Sequence, residues 1–373
     1  MTFEFATAGR IVFGAGTFAR LAEIAGGYGQ RPLIVTGKRG VPGIAGARFA
    51  VAGEPTVATV CEGVAAFRDA GCDSVIAIGG GSAIDAGKAI AAAAANSGDL
   101  LDYLEVIGKG QPLDSAPYPF LAVPATAGTG SEVTRNAVLG SPEHGVKVSL
   151  RSPMMLPRVA LVDPLLTLGL PPEITASTGL DALTQLIEPF VSCRANPLTD
   201  GFCLDGIRHV PASLPRAYRD GSDQEARSGM AYASLLGGLA LANAGLGVVH
   251  GFAAPIGGMF DAPHGAVCAA LLPAGMRVNI AALRERDPGG TAIARYQEIA
   301  RILTGERDAT AEDGMEWVRT LTAQLAIPAL GRYGITTRDV PGLAEKASRS
   351  NSMKGNPIAL TTAELTAAME SSL

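Results

Sequence analysis

The chain has 373 residues, enough for two domains and an ample hydrophobic core. Its 30 basic and 35 acidic residues leave a net charge of −5, which speaks against a nucleic-acid or anionic-membrane partner, since both want clustered positive charge. Charged residues reach only 17% and glycine numbers 47, a composition that excludes disorder and leaves many glycines needing a backbone task.

The N-terminus, Met1-Thr2-Phe3-Glu4-Phe5, shows no basic segment followed by an apolar core, so a cytoplasmic protein is expected. Arg10–Phe13 is a short strand candidate. Gly14-Ala-Gly16-Thr-Phe-Ala19 after it fits the G-x-G-x-x-A pattern, but no acid follows at the ribose-binding distance of about 20 residues, so it reads as a turn. Residues 32–36, 56–60, 74–78 and 120–123 read as further strands, with helices over 62–70 and 83–96. Continuous apolar runs such as Ser74-Val-Ile-Ala-Ile78 indicate parallel strands covered on both faces, hence an α/β layer fold.

After Asp163-Pro164 the strand signal fades. Helical patterns run over 172–191, 199–217, 223–244, 265–281, 291–303 and 311–325. An α/β dinucleotide-binding domain is expected over 1–165 and an all-helical metal and substrate domain over 166–373, with a cleft between them. Residues 231–249 are uncharged and long enough for a membrane span. They are rich in Gly and Ala and contain Asn243, so a buried helix plus loop is expected. The five cysteines, Cys61, Cys72, Cys193, Cys203 and Cys268, are odd in number and scattered, which predicts small buried residues rather than disulfides or a zinc site.

Two Gly-rich loops follow strands. Gly79-Gly80-Gly81-Ser82 opens a helix, where free N–H groups and the partial positive charge of the helix end suit a pyrophosphate. Pro124-Ala-Thr126-Ala-Gly-Thr129-Gly is the second, expected on the same carboxyl edge of the sheet. Of the four histidines, His250 and His264 fall within fifteen residues of each other. Asp181 and Gln185, at i and i+4, share a helix face upstream. Spacing alone leaves two readings open: a divalent metal held by these groups, or a helix cap at His-Gly with Asp181 as a helix charge. His144 reads as a turn residue and His209 as a helix-surface residue.

These motifs together resemble the iron-containing alcohol dehydrogenase family. The resemblance rests on GGGSAIDAGKAIA at 79–91, PATAGTGSEVT at 124–134, LVDPLLTLGLPPEITASTGLDALTQLIE at 161–188 and HGFAAPIGGMFDAPHG at 250–265. It implies a dehydroquinate synthase-like fold, in which a Rossmann-like domain precedes an all-helical one. It further implies a homodimer and reversible hydride transfer between NAD(P)(H) and a small alcohol, aldehyde or ketone. The family holds Fe2+ or Zn2+ through one Asp and three His, to which Asp181, His250 and His264 correspond, making them the implied catalytic centre. Gln185 stands at the remaining His place, and Ala254 where many members carry a further His. Asp85, Thr126 and Thr129 join Gly79–Ser82 as implied cofactor contacts, and Lys147 resembles the lysine near the nicotinamide. Gly37 replaces the Asp with which NAD-preferring relatives repel a 2′-phosphate, and Lys38 or Arg39 could meet that phosphate, so NADP(H) is favoured. The apolar segment 253–260 is expected to line the substrate pocket. A metal-independent enzyme resembling maleylacetate reductase, a sugar-phosphate cyclase and a non-catalytic relative are the alternatives.

Overall fold

The computed structural model describes residues 2–38, 40 and 43–373, so Arg39 lies outside the described residues. Two compact units are present. One comprises Ala6–Thr126 and Gly130–Thr167; the other comprises Leu168–Leu373, the stretch Ala127–Thr129 and a short N-terminal segment through Phe5.

The first unit is an α/β layer. Its strands are β1 (Ile11–Phe13), β2 (Pro32–Gly37), β3 (Ala47–Val51), β4 (Ser74–Gly79), β5 (Phe120–Pro124), β6 (Asn136–Ser141), β7 (Val146–Arg151) and β8 (Val159–Val162). Its helices are α1 (Leu21–Ala25), α2 (Val57–Asp69), α3 (Gly81–Ala95) and α4 (Leu100–Tyr103). Six strands form one parallel sheet in the order β1-β8-β5-β4-β2-β3, and β6 and β7 pair as an antiparallel hairpin. Leu33, Val35, Val75 and Ala77 bury on one face with α2 and α3, while Ile34, Ile76, Ile78 and Leu121 bury on the other with α1. This double burial explains the unbroken apolar runs. Gly87 lets α3 rest close on β4: a Cβ there would meet Ala77 Cβ at 2.7 Å.

Residues 56–60 are not a strand. Thr56 caps α2, its hydroxyl accepting from the Thr59 N–H at 3.1 Å, and the helix starts at Val57. The strand lies earlier, at Ala47–Val51, where a half-buried alternation obscured it. The strands β6, β7 and β8 also escaped the sequence reading. The Gly14-x-Gly16 element is a turn, as expected. The Asp163 carboxylate accepts the N–H groups of Gly16 at 3.0 Å and Phe18 at 2.9 Å, which occupies the donors a phosphate would need.

The second unit is helical: α5 (Pro172–Val191), α6 (Pro197–Arg219), α7 (Gln224–Ala244), α8 (Val248–Met259), α9 (His264–Arg286), α10 (Thr291–Thr304), α11 (Ala311–Gln324), α12 (Val340–Ser348) and α13 (Thr362–Glu370). Central α5 packs on α6, α7 and α9. The uncharged stretch 231–249 is a helix plus loop, as expected: α7 runs to Ala244, Gly245–Gly247 form the loop, and α8 then leaves at a bend of 96°. Helix α9 is long and apolar enough to cross a membrane, and 78% of that apolar window is buried within the fold. The bend at Gly245–Gly247 and the loop before α9 put His250 in the first turn of α8 and His264 at the first residue of α9.

Candidate active site

Helix α5 is apolar nearly all round, yet it carries Asp181, Gln185 and Glu188 at i, i+4 and i+7, which is one face. All three are buried. Asp181 Oδ1 stands 3.5 Å from His250 Nε2 and 3.8 Å from His264 Nε2. Neither Asp181 oxygen makes a hydrogen bond, nor does Gln185 Oε1. A buried carboxylate left without hydrogen bonds costs several kcal/mol, and a cation between it and the imidazoles removes that penalty. Burial opposes ionisation of Asp181, but His264 and His250 outweigh it and hold its carboxyl below the usual range. Burial likewise opposes charge on His264, while Cys268 and Asp181 overcome it and raise the ring to about 9. The donor set of one carboxylate and two imidazoles therefore fits a divalent transition metal.

Two further groups enter this cluster, and the sequence reading assigned neither. Glu188 Oε1 accepts the Val249 N–H at 2.7 Å, and its Oε2 lies 2.7 Å from His250 Nδ1. The carboxylate thus keeps the proton on Nδ1 and turns Nε2 toward Asp181. Polar residues at i, i+4 and i+7 in an otherwise apolar helix were the available signal. Cys268 Sγ lies 3.7 Å from His250 Nε2 and 3.6 Å from His264 Nε2. The donor atoms of Asp181, His250, His264 and Cys268 all fall within 4.8 Å of one another. Cys72, Cys203 and Cys268 are buried as expected, whereas Cys61 and Cys193 are exposed, and Cys268 is not merely filler. It follows His264 by four residues on α9, the same spacing as Asp181 and Gln185 on α5. Ala254 places a methyl one turn beyond His250. His144 sits in the turn between β6 and β7, near Ser141 Oγ, and His209 packs edge-on against Tyr232.

In the α/β unit, chain order reverses between β2 and β4. The chain runs from β2 outward to β3, then crosses back to β4 on the other side. Ligands of parallel sheets bind outside the carboxyl ends of such strands. Gly37 ends β2 and Gly79 ends β4; a Cβ on Gly79 would lie 3.6 Å from the Gly37 nitrogen. Gly80 precedes α3 in an extended conformation and no side chain caps the helix, so the first N–H groups, at Gly81 and Ser82, point out of its start. Thr126 adjoins this turn, its methyl 3.4 Å from a Cβ built on Gly80. Pro124 pairs in register with Gly79, so both loops leave the same sheet edge. Among the described residues nothing lies within 4 Å of where a Gly37 side chain would begin, and Lys38 beside it is exposed.

The other residues expected to meet the cofactor have protein surroundings of their own. Both Asp85 oxygens are engaged: Ser131 Oγ donates at 3.1 Å and the Val138 N–H at 3.0 Å. One turn on, Lys88 Nζ donates to Ser131 O, Thr134 Oγ1 and Asn136 O at 2.8–2.9 Å. Burial pulls Lys88 down to about 8 against the pull of Asp85. This pair ties the loop after β5 to α3. Lys147, on β7, is only 9% exposed in its side chain and pairs with Glu54 at 3.5 Å. Thr129 belongs to the three-residue stretch that clusters with the helical unit, where Gly128 packs on Thr178.

Both units match models of one family. The iron-containing alcohol dehydrogenase model matches residues 8–164, and the C-terminal model of the Fe-containing alcohol dehydrogenase family matches residues 175–373. The chain belongs to the iron-containing alcohol dehydrogenase family. It is 39% identical over 309 residues to a 1,3-propanediol dehydrogenase of Citrobacter freundii, covering 81% of this chain and 76% of the relative. It is 35% identical over 363 residues to a 4-hydroxybutyrate dehydrogenase of Cupriavidus necator, covering 92% of each. A solved 1,3-propanediol oxidoreductase superposes over the full length of both chains with a TM-score of 0.91 at 35% identity. A sulfoacetaldehyde reductase from Bifidobacterium kashiwanohense, solved with NAD+, superposes with a TM-score of 0.87 at 29% identity, covering 100% of this chain and 99% of that one. The fold implied by the sequence motifs is the fold observed: a parallel α/β sheet followed by an all-helical region. As an iron-containing alcohol dehydrogenase, the chain is an oxidoreductase acting on CH–OH groups.

Proposed function

We propose that this family member interconverts a small alcohol and its aldehyde or ketone with NAD(P)(H), using a divalent metal held by Asp181, His250 and His264. The observation that carries the reading is the buried Asp181 carboxylate, which makes no hydrogen bond and stands within 3.5–3.8 Å of two imidazole nitrogens. When bound, the metal supplies Lewis-acid polarisation of the alcohol or carbonyl oxygen. The protein's own groups prepare the centre. Glu188 fixes the His250 tautomer, so Nε2 offers its lone pair inward. Burial of Asp181, Gln185 and His250 excludes water and strengthens every charge interaction among them. Ala254 offers no proton one turn beyond His250, so solvent or the ribose hydroxyls carry the proton that accompanies hydride transfer.

The cofactor pyrophosphate is assigned to the turn Gly79–Ser82 and the start of α3, with Thr126 alongside. Asp85 and Lys88 act indirectly, by locking the loop after β5 to α3. The space that the described residues leave at Gly37, beside exposed Lys38, supports acceptance of a 2′-phosphate, and hence of NADP(H). The relatives named for 1,3-propanediol and 4-hydroxybutyrate support a short hydroxylated chain as the substrate class. The apolar run Ala253–Phe260 favours uncharged members of that class. A panel of short aldehydes and ketones, run with NADH and with NADPH, tests the reading. Coenzyme consumption that depends on the carbonyl is expected. Nucleotide binding without any consumption across the panel would overturn it.

A further inference from the structure

We infer that Cys268 is a ligand of the metal in this chain, its thiolate replacing the donor that Gln185 does not supply. The inference rests on the metal reading above and concerns which atoms complete the set. A tetrahedral site with N, O and S donors about 2.0–2.3 Å from the ion has edges of roughly 3.3–3.8 Å. The four measured edges agree: 3.5 and 3.8 Å from Asp181 Oδ1 to the two imidazoles, and 3.7 and 3.6 Å from Cys268 Sγ to the same nitrogens. All four donors lie within 4.8 Å of one another, and three of the four residues are fully buried.

The bland alternative is a neutral thiol hydrogen-bonded to an imidazole. A thiol has one proton and can serve one of the two nitrogens, and even with His264 protonated the 3.5–3.8 Å separations leave both Asp181 oxygens without a hydrogen bond. An ion at the centre satisfies Asp181, both imidazoles and the sulfur together. As it binds, the thiol proton leaves to solvent and a metal–sulfur bond forms. Gln185 offers only an uncharged amide oxygen, a weaker donor than a thiolate for a transition metal. Replacing a neutral or hard donor by a soft thiolate moves preference from Fe2+ toward Zn2+. This chain is thereby expected to depart from the iron that names its family.

Cobalt(II) is the probe, because cobalt–thiolate bonds give a near-ultraviolet charge-transfer band that oxygen and nitrogen ligands do not. The full chain, stripped of metal by chelation, is titrated in a Cys61→Ser/Cys193→Ser background that removes the two exposed thiols. Expected is one Co2+ per chain with the charge-transfer band. In Cys268→Ser the band disappears and affinity for Zn2+, measured by chelator competition, falls about tenfold or more, while the preference for Zn2+ over Fe2+ shrinks. Gln185→Ala keeps the band and binds within a few-fold of the parent. A parent protein that binds Co2+ without the band overturns the assignment whatever the variants do. So does Cys268→Ser with unchanged affinity. A parent that binds no divalent metal overturns the metal reading itself.

Discussion

Replacing Glu188 by Gln changes one atom of the metal site's support and nothing of its shape. Glu188 accepts two buried hydrogen bonds, from the Val249 N–H and from His250 Nδ1, each at 2.7 Å. An amide has one acceptor and one donor end, so it cannot accept both. With its oxygen on Val249, its NH2 faces Nδ1, and the favoured tautomer puts the imidazole proton on Nε2, the atom 3.5 Å from Asp181 Oδ1. Binding a metal then requires moving that proton back to Nδ1, against the amide N–H. A buried donor left facing a donor costs about 1–3 kcal/mol, which is a loss of roughly 10–100-fold in metal affinity. Chelator competition with Zn2+ measures this. Thermal melting of the metal-free proteins controls for a purely structural loss. A Glu188→Gln protein that binds metal within twofold of the parent would refute the reasoning.

Three further outcomes follow from the geometry. Gly37→Asp fits sterically against the described residues, none of which lies within 4 Å of its Cβ position; it should raise the KM for NADPH about tenfold or more while leaving NADH nearly unchanged, by placing a carboxylate against the 2′-phosphate. Equal effects on both coenzymes would remove Gly37 from the ribose site. Gly79→Ala brings a Cβ to 2.8 Å from Ala83 Cβ at the strand–helix turn. Overpacking of this kind costs about 1–3 kcal/mol and should weaken NADH binding roughly tenfold in a fluorescence titration, with metal content untouched. Glu132 tests linkage in the α3 network: burial raises its carboxyl from 4.5 to about 7, against Lys88. The folded protein therefore keeps a proton that the unfolded chain releases between those values, so this contribution to stability is full below pH 4.5 and lost as pH rises through 7. Glu132→Gln lacks that slope. Relative to the parent it should gain about 2–3 kcal/mol in urea unfolding on going from pH 4.5 to pH 8, and parallel pH profiles would contradict the burial argument.

Which parts of this architecture could be read from sequence follows from what each segment has to satisfy. The run Ser74–Ile78 is buried on both faces and must leave the sheet at a glycine turn, so strand, turn and helix α3 were all legible. The long helix α5 was legible to the residue because its Pro-Pro-Glu start and apolar pattern agree. Thr56–Val60 misled because β-branched residues favour strands, yet Thr56 acts through its hydroxyl as a helix cap. Strand β3 alternates and is half exposed, so no continuous apolar run marked it. In the metal cluster, Asp181, His250 and His264 stood out as polar residues in apolar surroundings. Glu188 shares the polar face of α5, but its partner on α8 was not legible, and Cys268 did not stand out at all, because both roles depend on how α5, α8 and α9 meet, and helix packing is not written in local spacing. At Asp85 and Lys147 motif position suggested cofactor contact; what the sequence did not show is their protein partners, Ser131 and Val138 for Asp85 and Glu54 for Lys147.

The metal role proposed for the Asp181 cluster decides how this oxidoreductase works. Its most direct test is metal analysis of the protein joined to turnover, on chelator-stripped protein reconstituted stepwise with Zn2+ or Fe2+. NAD(P)H-coupled carbonyl reduction is expected to be lost on stripping and to return in proportion to bound metal, levelling at one ion per chain. Asp181→Ala, folded by circular dichroism, is expected neither to hold the ion nor to recover. Full turnover in protein shown by elemental analysis to be free of metal would contradict that role.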